Sequence, residues 1–154
     1  MGTEIERKFL VDASKLPELI GIDAMLLQQG YLGEGKFTTR VRLATPVTIG
    51  TGDSFQRSAF ITVKGKGTLS RSEFEYEIPC EDCEKLLAEC ESKIVKIRYK
   101  IGRWELDFFT ALNFHMAEIE LSSEDEKFDL PEWILKEVTE DKTYSNVELA
   151  KRGK

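Results

Sequence analysis

Charged and apolar residues alternate along most of this chain. From Thr3 to Val11, Glu4, Glu6 and Lys8 take every second position, with Ile5, Arg7, Phe9 and Val11 between them. Alternate residues of a strand share a face, so this segment predicts a strand with one ionic side. The same period recurs. Arg40 and Arg42 alternate with Val41 and Leu43, and Lys64 and Lys66 follow Ile61 and Val63. Glu73, Glu75 and Glu77 alternate with Phe74, Tyr76 and Ile78. Lys96, Arg98 and Lys100 alternate with Val95, Ile97, Tyr99 and Ile101. Glu105 and Asp107 alternate with Trp104, Leu106 and Phe108, and Glu118 and Glu120 with Ile119 and Leu121.

The pattern predicts about eight antiparallel strands, over 3–11, 25–32, 37–44, 60–66, 72–78, 93–101, 103–109 and 115–121. Gly102 leaves room only for a hairpin between two of them. Short helices are expected over 12–20, 81–91, 122–128 and 147–151, from capping residues at their starts and glycine or proline near their ends. Residues 45–58, rich in Gly, Thr and Ser, predict a long hairpin loop. Gly65 and Gly67 around Lys66 predict a turn. A short segment after Pro131 ends at Val138, and a polar loop follows over 139–146.

One such strand is an ordinary half-solvated strand. So many, with both signs of charge and little Thr, Ser or Gln, suggest a closed barrel with the ionic faces inward and the apolar faces packed outward against helices. The fold class expected is α+β, mainly β: a closed eight-stranded antiparallel barrel with a charged interior and short external helices. A charged interior is costly unless the charges pair or meet a charged ligand. Acids that hold Mg²⁺ or Mn²⁺ and bases that hold phosphate meet that need.

Composition narrows the reading. The 154 residues form one domain of ordinary size, 1–154, with 41% hydrophobic and 32% charged residues. The net charge of −6 argues against nucleic acid or an acidic membrane surface as the main partner. No apolar run reaches membrane-spanning length and no signal peptide opens the chain, so a cytoplasmic protein is expected. Cys80, Cys83 and Cys90 read as free thiols. A zinc site at Cys80-x-x-Cys83 lacks a fourth ligand, because the one histidine, His115, is remote in sequence.

Ordered motifs extend this reading. Glu4-Ile-Glu6-Arg-Lys8 resembles the ExExK signature of the CYTH superfamily, the triphosphate tunnel metalloenzymes. Arg40-Val-Arg42 is similar to its RxR strand, Thr62-Val-Lys64 to its TxK segment, and Arg71-Ser-Glu73-Phe-Glu75 to its RxExE segment. Lys96-Ile-Arg98, Glu105-Leu-Asp107 and Glu118-Ile-Glu120 resemble its KxR, LDxF and ExE strands. The stretch from Thr139 to Asn146 is similar to its TxDxxYxN segment. The resemblance spans nearly the whole chain and is strongest to the small bacterial members, which are inorganic triphosphatases. Residues 45–58 look longer than the matching hairpin of those proteins.

The resemblance implies a triphosphate tunnel that hydrolyses linear triphosphates, chiefly tripolyphosphate to pyrophosphate and phosphate, with Mg²⁺ or Mn²⁺. The expected metal ligands are Glu4, Glu6, Asp107, Glu118 and Glu120. The expected phosphate binders are Lys8, Arg40, Arg42, Lys64, Arg71, Lys96 and Arg98. Glu6, Lys8 and Glu75 are the expected catalytic set, with Glu6 or Glu75 orienting the attacking water. Lys66 and Lys100 read as solvated strand ends, Tyr31 as a core aromatic within reach of the tunnel, and His115 as structural. The C-terminal helix either plugs a tunnel mouth, with Lys142 and Tyr144 near the substrate, or is a solvated end. The partner expected is a small anion, with no nucleic acid and no membrane, on a monomer or homodimer. The alternatives are a class IV-type adenylate cyclase, which shares this barrel, and a non-catalytic polyphosphate or nucleotide-binding module.

Overall fold

Strand β1, Gly2–Val11, is the seam at which the sheet closes. In the computed structural model, which describes residues 2–33, 35–47 and 56–152, seven further strands complete the wall. They are β2 (Ala24–Gly33), β3 (Thr38–Pro46), β4 (Ser58–Lys64), β5 (Ser70–Glu77), β6 (Ser92–Ile101), β7 (Trp104–Phe109) and β8 (Phe114–Glu120). The spatial order is β5-β4-β3-β2-β6-β7-β8-β1, and β5 pairs again with β1. One edge of β1 runs antiparallel to β8 from Glu6 to Leu10. The other edge is divided. Gly2–Ile5 pair with β5, and Phe9 and Val11 pair with a short ninth strand, β9 (Ile134–Glu137). Between them, Glu6 N donates to Leu69 O and Val138 N donates to Lys8 O. This eight-stranded antiparallel barrel is the architecture expected, with β9 as an addition.

The turns follow from local chemistry. Gly102 takes φ +59 in the two-residue turn that joins Ile101 to its partner Trp104. Gly67 has φ +137, and a Cβ there would lie 2.3 Å from Ser70 O, so only glycine fits the turn into β5. The loop expected over 45–58 is shorter than predicted at both ends, since β3 continues to Pro46 and β4 starts at Ser58; residues 48–55 lie outside the described residues.

Two expected helices are not formed. Over 12–20 there is a single tight turn, Ala13–Lys15, whose Ser14 N donates to Asp12 Oδ1 at 3.0 Å. It stops at Leu16, which precedes Pro17 and is held extended. Over 122–128, Ser122 N donates to the Glu126 carboxylate at 2.6 Å and Ser123 Oγ to Asp125 at 2.9 Å. These side-chain bonds give the backbone an alternative to a helix. The helix expected over 81–91 is α1, Cys80–Glu89, following Pro79. The helix expected over 147–151 is α2, Asn146–Arg152, preceded by a turn at Lys142–Tyr144 capped by Asp141.

The apolar residues gather in three places. Phe9, Trp104, Leu106, Ala117, Ile119, Leu121 and Trp133 pack outside β1, β7 and β8, with Phe128 laid edge-on over Phe9 and Trp104. Val41, Leu43 and Ala59 meet Cys83, Leu87 and Cys90 beneath α1. Cys83 and Cys90 are thus packed as small apolar groups, and burial, then Cys80, Cys90 and Glu84, push the Cys83 thiol up to about 11. The third cluster joins Ile94, Phe109, Met116 and Val138 to Leu149 and Ala150 of α2. Phe109 pairs with Lys96, and Met116 with Asp107 and Leu10. The inward faces of these strands therefore turn apolar at one end of the barrel, and α2 covers that end.

Candidate active site

The inward faces enclose a cavity of about 180 Å³. Its wall carries Glu4, Glu6 and Lys8 from β1, Tyr31 from β2, Thr38, Arg40 and Arg42 from β3, and Lys64 from β4. Arg71, Glu73 and Glu75 of β5, Lys96 and Arg98 of β6, Glu105 of β7, and Glu118 and Glu120 of β8 complete the ring. Ser145, Asn146 and Val147, where α2 begins, close one end.

Carboxylates crowd the β1–β8 side. Glu6 lies opposite Glu120 and Lys8 opposite Glu118 across the two strands. Like charges directly opposite one another are destabilising. Burial, then the charges of Glu118 and Glu4, push the Glu6 carboxyl up to about 8, and the Lys8 ammonium is 3.9 Å away. Glu4 has the opposite fate. Burial would raise it, but a hydrogen bond shared with Glu73 and the charges of Lys64 and Arg71 bring it to about 2. Lys64 Nζ is 3.1 and 3.0 Å from its two oxygens, and Arg71 Nε is 3.3 Å away. Burial and the bond to Glu4 push Glu73 up to about 7, with Lys64 Nζ 3.3 Å away. For Glu118, burial works against the charge, but Arg98, Lys8 and Lys96 hold it well below the usual carboxylate range.

Across the cavity the bases are in excess. Burial, then the charges of Arg40 and Arg98, push Arg42 down to about 9, and its Nε donates to the neutral oxygen of Gln29 at 2.9 Å. Arg40 Nη2 donates to Thr62 Oγ1 at 3.1 Å and to Glu75 at 3.4 Å. Arg40 Nε is buried with no acceptor. A buried orphan donor is uncommon and calls for a partner.

Lys96 and Arg98 share Asp107. Arg98 grips it through Nε at 2.7 Å and Nη2 at 2.8 Å, and Lys96 Nζ is 2.7 Å from Oδ2. The side chains of Lys96 and Asp107 are both 0% exposed. Burial pushes Lys96 down to about 7 even with Asp107 drawing it up.

The expected site residues therefore converge on one cavity, with one exception. Asp107 does not line it, because both its oxygens are taken by Lys96 and Arg98. It stands behind the wall as their counter-ion. Glu73, Glu105 and Thr38 line the cavity without having been assigned a site role from sequence, and the start of α2, where the C-terminal helix was offered as a plug, lines it too. Glu73 and Glu105 lie on the same alternating faces as named residues, so that signal was present. Tyr31, expected in the core, does both: it packs on the α2 cluster and lines the cavity. Lys66, Lys100, Lys142 and Tyr144 are not on the cavity wall. His115 stacks on Phe108 with ring centroids 4.8 Å apart, away from the cavity. Among the described residues no three of His, Cys, Asp and Glu gather as a preformed metal cluster.

A closed antiparallel barrel with acids and bases facing one another across its bore is the architecture of a triphosphate tunnel. Comparison with known proteins agrees. No family model matches the chain. It is 38% identical to an inorganic triphosphatase of Acetivibrio thermocellus, over 98% of this chain and 95% of that protein. It is also 38% identical to an inorganic triphosphatase of Nitrosomonas europaea, over 96% of this chain and 97% of that protein. The crystal structure of the inorganic triphosphatase NE1496 superposes with a TM-score of 0.61 at 34% identity, covering 97% of this chain and 95% of that one. The chain belongs to the inorganic triphosphatase family, with the CYTH-type tunnel fold.

Proposed function

We propose that this protein hydrolyses inorganic tripolyphosphate to pyrophosphate and phosphate inside the barrel, with Mg²⁺ or Mn²⁺ as cofactor. The observation that carries this reading is the division of charge in the bore. Burial, then the charges of Glu118 and Glu4, pushes Glu6 up to about 8, and burial, then the charges of Arg40 and Arg98, pushes Arg42 down to about 9. Each side of the cavity lacks counter-charge of the kind a metal–triphosphate complex brings.

The acid wall fits a hard divalent cation. Mg²⁺ keeps several waters and takes one or two protein carboxylates plus substrate phosphates, so a closed cluster of three ligands is not required. Glu6 and Glu120, opposed across β1 and β8, with Glu4 and Glu118 beside them, are the residues that would hold it. A bound cation supplies charge neutralisation and a water of lowered pKa.

The chain's own residues do the rest. Arg40, Arg42 and Arg98 present planar donors to phosphate oxygens, and the orphan Nε of Arg40 is one such donor. Lys8, Lys64 and Lys96 add point charges, and Arg71 stands beside Glu4. Together they hold the chain of phosphates in line and stabilise charge on the departing pyrophosphate. Glu6, on the wall between Glu4 and Lys8, is the residue proposed to orient the attacking water. Glu75, held by Thr62 Oγ1 at 2.8 Å, fixes Arg40. Among the described residues, Tyr31 and Val147 are the hydrophobic side chains on the wall, which offers little shelf for a nucleobase and disfavours the cyclase alternative.

The test is release of phosphate from tripolyphosphate, assayed beside thiamine triphosphate, ATP and long-chain polyphosphate with each metal and in EDTA. Turnover should need the metal and should be lost in Glu118→Gln. Equal turnover in EDTA, or an unaffected Glu118→Gln, would sink the assignment; cyclic AMP from ATP would transfer it to the cyclase reading.

A further inference from the structure

Gln29 is a neutral residue of β2 with no exposed surface, and it lies directly across from Arg42 in the β2–β3 ladder. Its amide is fully engaged. The oxygen accepts from Arg42 Nε at 2.9 Å. The nitrogen donates to Tyr31 Oη at 3.0 Å and to Asn146 Oδ1 at 3.3 Å. A flipped amide would set its NH₂ against the Arg42 donor, so the orientation is dictated by the partners. Asn146 opens α2, and the same Oδ1 also accepts from the buried Lys96 Nζ at 2.8 Å. A continuous, partly buried hydrogen-bonded bridge thus runs from Arg42 through Gln29 and Asn146 to Lys96. It links two cavity bases on different strands through the first residue of the C-terminal helix.

We propose that Gln29 is a positioning residue, which together with Asn146 makes the seating of α2 set the orientation of Arg42 and Lys96. The inference rests on the phosphate-binding role proposed above for these two bases. Three features point to it. Arg42 has no carboxylate within ion-pair distance among the described residues, so Gln29 is what fixes its Nε. The neutral amide holds Arg42 without offsetting its charge toward a phosphate, as a carboxylate at position 29 would. Leu149 and Ala150 of α2 are fully buried, so the helix is a firm support.

Tripolyphosphate binding by calorimetry in EDTA tests this without turnover, and KM and kcat with metal follow. A hydrogen bond to a charged group is worth roughly ten-fold or more in affinity. Gln29→Met, close in shape but without the amide, should weaken binding and raise KM by about that factor with kcat changed far less. Asn146→Ser, near the chain end, should do the same. The double variant should be no worse than either single, because the bridge is already broken. Amide exchange over residues 146–152 should quicken in Gln29→Met even with no anion present. Additive losses, binding within two-fold of wild type in both singles, or unchanged exchange in α2 would each overturn the proposal. A wild type that binds the anion in EDTA but never hydrolyses it would sink the proposed activity and leave this coupling open to the same measurements.

Discussion

Asp107→Asn separates the two roles this carboxylate was open to. It accepts from Lys96 and from two nitrogens of Arg98, all at 2.7–2.8 Å, and the Lys96–Asp107 pair is wholly buried. Removing one partner of a buried pair leaves an uncompensated charge and costs about 3–5 kcal/mol. Lys96, already pushed down to about 7, would lose its main support and shed its proton more readily, which holds the loss toward the lower end. For a domain of this size each kcal/mol moves the melting temperature roughly 2–4 °C, so a drop of about 10 °C is expected. The assay is urea and thermal unfolding in EDTA at neutral pH, beside Glu105→Gln. Glu105 bonds the same Arg98 at 2.9 Å from a partly solvated position, and should cost under about 1 kcal/mol. Adding Lys96→Met to Asp107→Asn should recover only part of the loss, because Arg98 still lacks its carboxylate, and should weaken tripolyphosphate binding. An Asp107→Asn protein as stable as wild type, but unable to bind the metal, would refute the counter-ion role and reinstate Asp107 as a ligand.

Glu6 carries a pH dependence of definite sign. Its folded value of about 8 lies above the ordinary 4.5, so its stabilisation is complete below about 4.5 and is lost as pH rises through about 8. Glu6→Gln should flatten that part of the metal-free stability profile, and an unchanged slope in thermal unfolding would reject the assignment. A Cβ at Gly30 would lie 2.7 Å from Cys90 Sγ and 3.3 Å from Leu87. Gly30→Ala should therefore cost about 1–3 kcal/mol by overpacking, little of it recovered by Cys90→Ala, whose Cβ would still lie 2.8 Å away; equal denaturation midpoints for wild type and Gly30→Ala would contradict the packing.

Much of this protein was legible along the chain. Period-two alternation located seven of the eight barrel strands, with the run before the Gly33–Gly35 turn marking the other, and it put Glu4, Arg40, Lys64, Arg98 and Glu120 on faces that do converge. Alternation reports which residues share a face, and a barrel needs little more to bring those faces together. The errors came where local bonds compete. Ser122 and Glu126 had helical spacing but spend their polar groups on each other, and Leu16 is held extended by the proline after it.

What the sequence settled by itself was the set of inward positions, because side-chain direction along a strand depends on parity alone. Which inward residues face open space and which are consumed by one another was decided only in three dimensions. Asp107 and Glu105 share a strand face and differ by two positions. Depth in the barrel closes one between Lys96 and Arg98 and leaves the other on the cavity wall. Gln29, unmarked by any motif, and Asn146, the last residue of the C-terminal motif, are far apart in the chain and meet only because α2 folds back over the apolar end of the bore.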